Sequence, residues 1–459
     1  MSPAQWLNKE SKQNAKQKRM QVMMENSTTY SDVEFRVGEE GRTFRGLKAI
    51  FARASEVFAK MFFEAAFRER TSDRPIVIID VQPVAFEQLH RWVYDMDVVL
   101  SCEIVFGVLE AARKYMVEDL VLHCQQWIAG KSRNPDDCIH LLAVATETSN
   151  MWLPALAGRA ESFGAKVLAC PMLTKLPFQA LVQLLESPDF ATPNEECIFE
   201  ACKAWANAAC ERNEDEDAAW QQIVDQEVVH FHLLSPRYFA ESVVNASLLT
   251  QEKALEVFMK NAMQTGLQRK VSTLGRLRAL LIDVTAEDAT SCIEKLVEIS
   301  NQENYSRAVA QCLVERALMD HEHCSEWVSM WNELWGALRV AGLRDECVRA
   351  TIDHCQNLFE EDAPPDSLVG VWTCPDDTLG LVRILCKLND SRKLAVLPLI
   401  KVLEVLIGHA EDGKHALCEP ASAARELVAQ LNEVSKKCGH LAALQSLPAL
   451  VTRLEALRV

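Results

Sequence analysis

Few stretches of the 459-residue chain combine residue types that do chemistry. His321-Glu322-His323-Cys324 is the densest metal-capable cluster. On a helix, adjacent and i+2 positions point to different faces, so these side chains cannot converge on one ion without partners from elsewhere. His230 and His232 fall on one side of a segment read as extended, but no matching Cys pair accompanies them. The 16 cysteines scatter at irregular spacings with no CxxC pair. Cys124, Cys202 and Cys312 lie on apolar faces of helix-like segments and read as reduced core residues. No P-loop, no GxGxxG after a strand, no GxSxG elbow and no HExxH is present. The sequence therefore predicts no catalytic residue, no metal and no cofactor, and points away from an enzyme.

The charge balance narrows the partners. Lys and Arg total 48 against 65 Asp and Glu, a formal charge of −17. General attraction to phosphate is disfavoured, so nucleic acid and anionic membranes are not expected partners. A hydrophobic fraction of 49% with 25% charged residues is that of a folded chain, and the length suggests about three domains. The basic start (Lys9, Lys12, Lys16, Lys18, Arg19) lacks the apolar run of a secretory signal. The most apolar long stretch, Leu394 to Ala410, is interrupted by Lys401 and Glu404. The expected location is cytoplasmic, with the nucleus as the second choice, and the sequons at Asn26, Asn245, Asn304 and Asn389 are expected to be idle.

The elements that would carry any site follow from periodicity. Residues 1–28 form a basic, polar tail or helix. Val33, Phe35 and Val37 alternate with polar residues as a strand, the turn Gly38-Glu39-Glu40-Gly41 leads to a second strand ending at Phe44, and Ile76–Ile79 form a third. Ile50, Ala54, Val57, Phe58, Met61 and Phe62 recur at helical spacing, with Ser55 as a cap between two short helices. Three further helices carry Phe86/Leu89/Val93, Ile104/Val108/Leu109/Ala112/Tyr115 and Leu120/Cys124/Trp127/Ile128. Strands followed by helices describe an α+β domain over residues 30–130. Residues 132–265 are helical, with Pro135-Asp136, Thr192-Pro193-Asn194-Glu195 (a capping box with Pro at the first helical position) and Ser235-Pro236 as start signals. Glu211 to Asp217 reads as a solvated insertion. Residues 271–459 carry amphipathic helices at intervals of about 20 residues, as stacked helical pairs do.

Residues 30–128 resemble the BTB (POZ) domain. The resemblance rests on Ser31-Asp32-Val33 with Phe35 and Val37, on Phe44 with Lys48-Ala49-Ile50, and on Ala52-Arg53-Ala54-Ser55 with Val57-Phe58 and Met61-Phe62. It continues through Ile78-x-Asp80-Val81, Phe86, Leu89, Tyr94, Ala111-Ala112-x-Lys114-Tyr115, Leu120 and Cys124. Two positions depart from the family: Leu47 stands where His is usual, and Asp95-Met96 replace a turn of small residues. Leu176-Pro177 with Leu181, Leu184-Leu185, Ser187, Asp189-Phe190, then Asn194-Glu195, Ile198-Phe199, Trp205 and Leu233-Leu234-Ser235-Pro236, resemble the BACK domain that follows BTB in ubiquitin-ligase adaptors. Cys292–Val297 with Asn304–Ala310, and Leu447–Leu450 with Leu457-Arg458, weakly resemble the middle domain of translation initiation factor 4G. The fold class expected is thus an α+β BTB domain, an all-α BACK domain and an all-α, solenoid-like helical repeat.

These resemblances imply a function. In adaptors that bind cullin-3, a hydrophobic-x-Glu motif docks on the cullin, and Phe67-Arg68-Glu69 occupies that place here; Met61 and Tyr94 would line the same surface. Asp32, Lys48 and Arg53 match polar positions near the family's dimer interface, where a buried Asp with one basic partner would set registry, an intradomain ion pair being the alternative. The expected protein is a non-catalytic, homodimeric adaptor of a cullin-RING ubiquitin ligase, with a cullin-3 type scaffold and an unknown protein client on residues 271–459. The alternative is a dimeric scaffold that binds no cullin, translation- or RNA-linked if a basic stripe (Arg269, Lys270, Arg276, Arg278) runs along the C-terminal part.

Overall fold

A computed structural model of the chain describes residues 18–64, 75–148, 150–190, 192–212, 214–244, 248–263, 272–281 and 306–319, the helix Leu447–Ala456, and isolated helical residues between them. Two units divide it, Met1–Ile128 and Ala129–Val459.

In the first unit, α1 (18–25) and the turn α2 (Ser27–Tyr30) lead into β1 (Val33–Val37). Its alternation buries Val33, Phe35 and Val37 on one face. β2 (Arg42–Gly46) pairs antiparallel with β1, setting Phe35 opposite Phe44, while β3 (Ile76–Ile78) pairs parallel on the other side, giving the order β2-β1-β3. Gly38 and Gly41 turn the hairpin at φ of 75° and 63°. A side chain at Gly38 would also meet the Pro83 ring at 2.8 Å. β2 runs two residues beyond its expected end, because Gly46 still pairs with Val33. β3 stops one residue short: the Ile78 carbonyl receives the Gly38 N–H at 2.8 Å, and β1 turns away there, so Ile79 lies outside the ladder.

Phe35 is fully buried beneath the rings of Phe51, Phe58, Phe62 and Phe86, with centroids 5.0 to 6.3 Å away. These rings come from α3 (Lys48–Ala54), α4 (Glu56–Phe63) and α5 (Pro83–Val93). Ser55 separates α3 from α4 as its sequence position suggests: its hydroxyl accepts the Phe58 N–H at 3.1 Å and donates to the Tyr115 carbonyl. α6 (Val105–Lys114) and α7 (Glu118–Lys131) complete the run, and Tyr115 stacks on Phe58 at 4.4 Å.

The second unit is helical throughout its described residues. α8 (Pro135–Glu147) starts at Asn134, whose side chain accepts the Asp136 and Asp137 N–H groups. α9 (Leu153–Phe163) and the 3-10 turns Gly164–Ala169 and Pro171–Lys175 pack beside it, and α10 (Phe178–Glu186) packs on α9. α11 (Glu195–Asn207), α12 (Glu216–Asp225), α13 (Pro236–Tyr238, continuing as a π turn to Val244) and α14 (Gln251–Met263) follow. Then come α15 (Thr273–Leu281) and α16 (Ser306–Met319). Cys312 reaches the Leu274 carbonyl while Arg278 pairs with Glu315, so contacts advance together along both helices. α15 and α16 therefore run parallel, as alternate helices of a stacked array do.

One start signal works differently from its sequence reading. The cap of α11 is Asn194, which accepts the Cys197 N–H at 3.0 Å, and Pro193 lies outside the helix. Glu195 does not close a capping box; it is buried and accepts the His230 N–H at 2.7 Å, joining α11 to a turn 35 residues away. Within Glu211–Asp217, the described acidic residues are exposed as expected of a solvated segment, but Arg212 is not. Asp215 caps α12, and Arg212 lies with its guanidinium 3.7 Å from the Trp205 ring centre. From there Arg212 donates to the Thr174 and Trp205 carbonyls.

Arg212 thus couples a cation–π stack with charge-assisted bonds to two carbonyls in a nearly dry place. Arg212→Ala is expected to lower stability to urea by about 3 kcal/mol. Arg212→Lys should recover less than half of that, since an ammonium neither stacks nor forks.

Candidate functional site

The predicted interaction residues of the first unit divide into three groups. Phe67 and Glu69 lie outside the described residues, as do Arg68, the His321–Cys324 cluster, Arg269 and Lys270. Met61 sits half-buried on α4, beside buried Phe62 and a Phe63 that is 57% exposed. Tyr94, expected on the same surface, is a correction: it is 1% exposed and belongs to the core. Its hydroxyl accepts the Leu47 N–H at 3.0 Å, and burial raises its pKa. Gly46 makes room for this contact; a Cβ there would lie 2.5 Å from the Phe51 ring and 3.2 Å from the Tyr94 hydroxyl.

Within one chain no ion pair joins the three polar positions to one another. Within one chain Asp32 is exposed, and its carboxylate accepts the backbone N–H of Lys48 at 2.7 Å, capping α3 from outside the helix. The Lys48 ammonium instead lies over the Phe62 ring at 5.9 Å. Arg53 pairs with Asp95 at 3.0 Å and not with Asp32. Asp95 holds a left-handed φ of 56°, and the Met96 N–H returns to the Arg91 carbonyl at 2.9 Å. The departure from a small-residue turn therefore preserves the turn, because Asp tolerates this conformation and Arg53 holds its carboxylate.

Sequence reasoning missed His90. Facing inward from α5, it stacks on Phe51 at 5.5 Å and touches Phe44 and Tyr94 by ring edges. Burial holds its pKa down at about 4, outweighing the Arg45 carbonyl and Glu87, which favour the charged form. Its Nε2 has no hydrogen-bond partner among the described residues. A helix-face His amid aromatic neighbours in the sequence was the available signal. Also missed were Val77 and Ile79, 66% and 69% exposed around buried Ile78. A run of four apolar residues hides which of them point outward.

In the second unit, His232 lies in the 3-10 turn Phe231–Leu233 and His230 directly precedes it, so the pair does not sit on an extended segment; the ring centres are 5.8 Å apart. They line a cleft of about 250 Å³ with Lys253, Glu256 and Lys260. Among the described residues no three metal-capable side chains converge, and no helix is long and apolar enough to cross a membrane. Of the basic residues that a nucleic-acid stripe would need, Arg278 is 13% exposed and is held by Glu315 at 3.3 Å. Burial pushes the thiols of Cys124 and Cys138 up to about 12, which makes them poor nucleophiles.

The low pKa of His90 has a consequence for stability. In the unfolded chain the ring titrates near its ordinary 6.5, so its neutral burial contributes fully above that pH and is lost as pH falls through about 4. Between pH 7 and pH 4 the wild type should lose about 3 kcal/mol more than His90→Leu, read from paired urea titrations. Equal pH slopes for the two proteins would contradict the assignment.

Comparison with known proteins matches this architecture. The BTB/POZ domain model matches residues 20–132, and the model described as BTB And C-terminal Kelch (BACK) matches residues 138–244. BTB/POZ domain-containing protein 3 of Homo sapiens is 28% identical over 199 residues, covering 42% of this chain and 37% of that protein. BTB/POZ domain-containing protein 6-A of Danio rerio is 26% identical over 254 residues, covering 52% of this chain and 44% of that protein. The chain thus spans less than half the length of these curated relatives. It carries a BTB/POZ domain followed by a BACK domain, the pairing of protein-interaction adaptors.

Proposed function

We propose that this chain is a non-catalytic adaptor that brings a protein client to a cullin-RING ubiquitin ligase of the cullin-3 type. The observation that carries the reading is the exposure on both flanks of Phe67-Arg68-Glu69. Before it, Phe63 stands 57% exposed at the end of α4; after it, Val77 and Ile79 stand 66% and 69% exposed. Large apolar side chains kept in water beside an aromatic-x-Glu segment suit a docking surface built around a hydrophobic anchor. Phe67 fills an apolar slot on the cullin, Glu69 accepts hydrogen bonds there, and Met61 borders the contact. Tyr94 contributes only by holding Leu47 and the start of α3 in place.

The BTB domain supplies a homodimer, and the capping contact of Asp32 with α3 shapes the surface it uses. Residues 271–459 hold the client, and the excess of acidic residues favours a basic or amphipathic client segment. Bringing client lysines close to a charged ubiquitin carrier raises effective concentration, and the adaptor itself supplies no chemistry. The buried thiols fit work in the reducing cytoplasm or nucleus.

Titration calorimetry of the protein against a cullin-3 N-terminal domain tests the reading. Phe67→Ala and Glu69→Ala should each weaken binding by about 2 kcal/mol or more, roughly thirtyfold. Tyr94→Phe should keep wild-type affinity while losing about 1 kcal/mol of folding stability. No binding by folded wild-type protein would discard the ligase role and leave a dimeric scaffold.

A further inference from the structure

Ser272 ties the C-terminal helical part to the BACK domain. Its N–H donates to the Pro188 carbonyl at 2.7 Å, and its hydroxyl donates to the Asp189 carboxylate at 2.5 Å, in the loop after α10. The same oxygen accepts the Gly275 N–H at 3.0 Å and so caps α15. α15 in turn rests on α9 and on the 3-10 turn Gly164–Ala169, with Leu277 and Leu281 buried. One hydroxyl therefore both starts the helix and joins it to Asp189.

The residues ahead of it read Arg269-Lys270-Val271-Ser272. A guanidinium three positions before a hydroxyl and an ammonium two before it form a compact cationic label within a chain of net charge −17. Arg278 is held by Glu315, so this pair is not continued as a nucleic-acid stripe. Cations at fixed offsets upstream of a serine match the acidic substrate pockets of arginine-directed kinases.

We infer that Ser272 is a phosphorylation site for an arginine-directed protein kinase, and that the phosphate releases α15 from Asp189. The serine oxygen attacks the γ-phosphorus of a nucleoside triphosphate and forms the ester bond as the bond to the departing nucleoside diphosphate breaks. The hydroxyl proton passes to the kinase's base. The first turn of α15 opens to present Ser272, as helix ends do transiently. Its return is then blocked, because the donor that met Asp189 has become a dianion facing a carboxylate. A phosphate at a helix N-terminus is favourable in itself, so α15 remains helical while its seat against Pro188-Asp189 is lost.

The test treats the intact protein with an arginine-directed kinase and ATP, locates the phosphate by mass spectrometry, and follows amide exchange. The expected result is one phosphate at Ser272, none there in Ser272→Ala, and exchange across residues 272–281 faster by about tenfold, the scale of one charge-assisted hydrogen bond. Asp189→Asn should suppress the acceleration, because its amide can donate to the phosphate. Failure of the folded protein to accept phosphate at Ser272, while a peptide of residues 264–280 does, would overturn the proposal. So would phosphorylation that leaves exchange unchanged. Neither result bears on cullin binding.

Discussion

The BTB domain closes on Phe35. The ring projects from the central strand of a three-stranded sheet, and four other phenylalanine rings converge on it from three separate helices. Contacts between rings at 5 to 6 Å combine large apolar burial with preferred tilted geometry, so few alternative packings compete. Other features follow from keeping that cluster closed. Gly46 lacks a side chain because Phe51 passes through its space, Tyr94 turns its hydroxyl to the start of α3, and His90 stays neutral against Phe51.

The BACK-containing unit depends on a different kind of tie. Its helices are short, and several of their ends are joined by buried or half-buried polar groups acting over long sequence separations. Glu195 meets the His230 backbone, Arg212 stacks on Trp205 while bonding Thr174, Trp205 donates to Leu176, and Ser272 meets Asp189. Each satisfies groups that would otherwise be costly to bury, and each fixes the angle between neighbouring helices. Such ties are specific, so a change of charge at one of them has leverage over a whole helix.

Legibility varied with the range of the interaction. The strand alternation around Phe35, the Ser55 cap, the apolar faces of α5 to α7 and the proline-led starts of α8 and α13 could be read from spacing, because neighbouring residues decide them. Glu195 was misread, and Arg212 passed over, for the opposite reason. A glutamate after an asparagine looks like part of a capping box, and an arginine among acidic residues looks solvated, until a distant backbone carbonyl or ring is brought alongside. Tyr94 was placed on a surface because a sequence position carries no measure of depth. Phe67 and Glu69 were legible only as a motif at a matched position.

What the sequence determined by itself is the order of modules: hydrophobic periods and cap residues local to the chain give an α+β domain followed by helices, and resemblance at matched positions marks the first as BTB and the next as BACK. Only the tertiary structure decided which polar residues are structural and which face solvent. It turned Asp32 into a helix cap, paired Arg53 with Asp95, and removed Arg278 from a basic stripe. The physical reason is that burial and partner choice depend on segments far apart in sequence, whose approach no local pattern encodes.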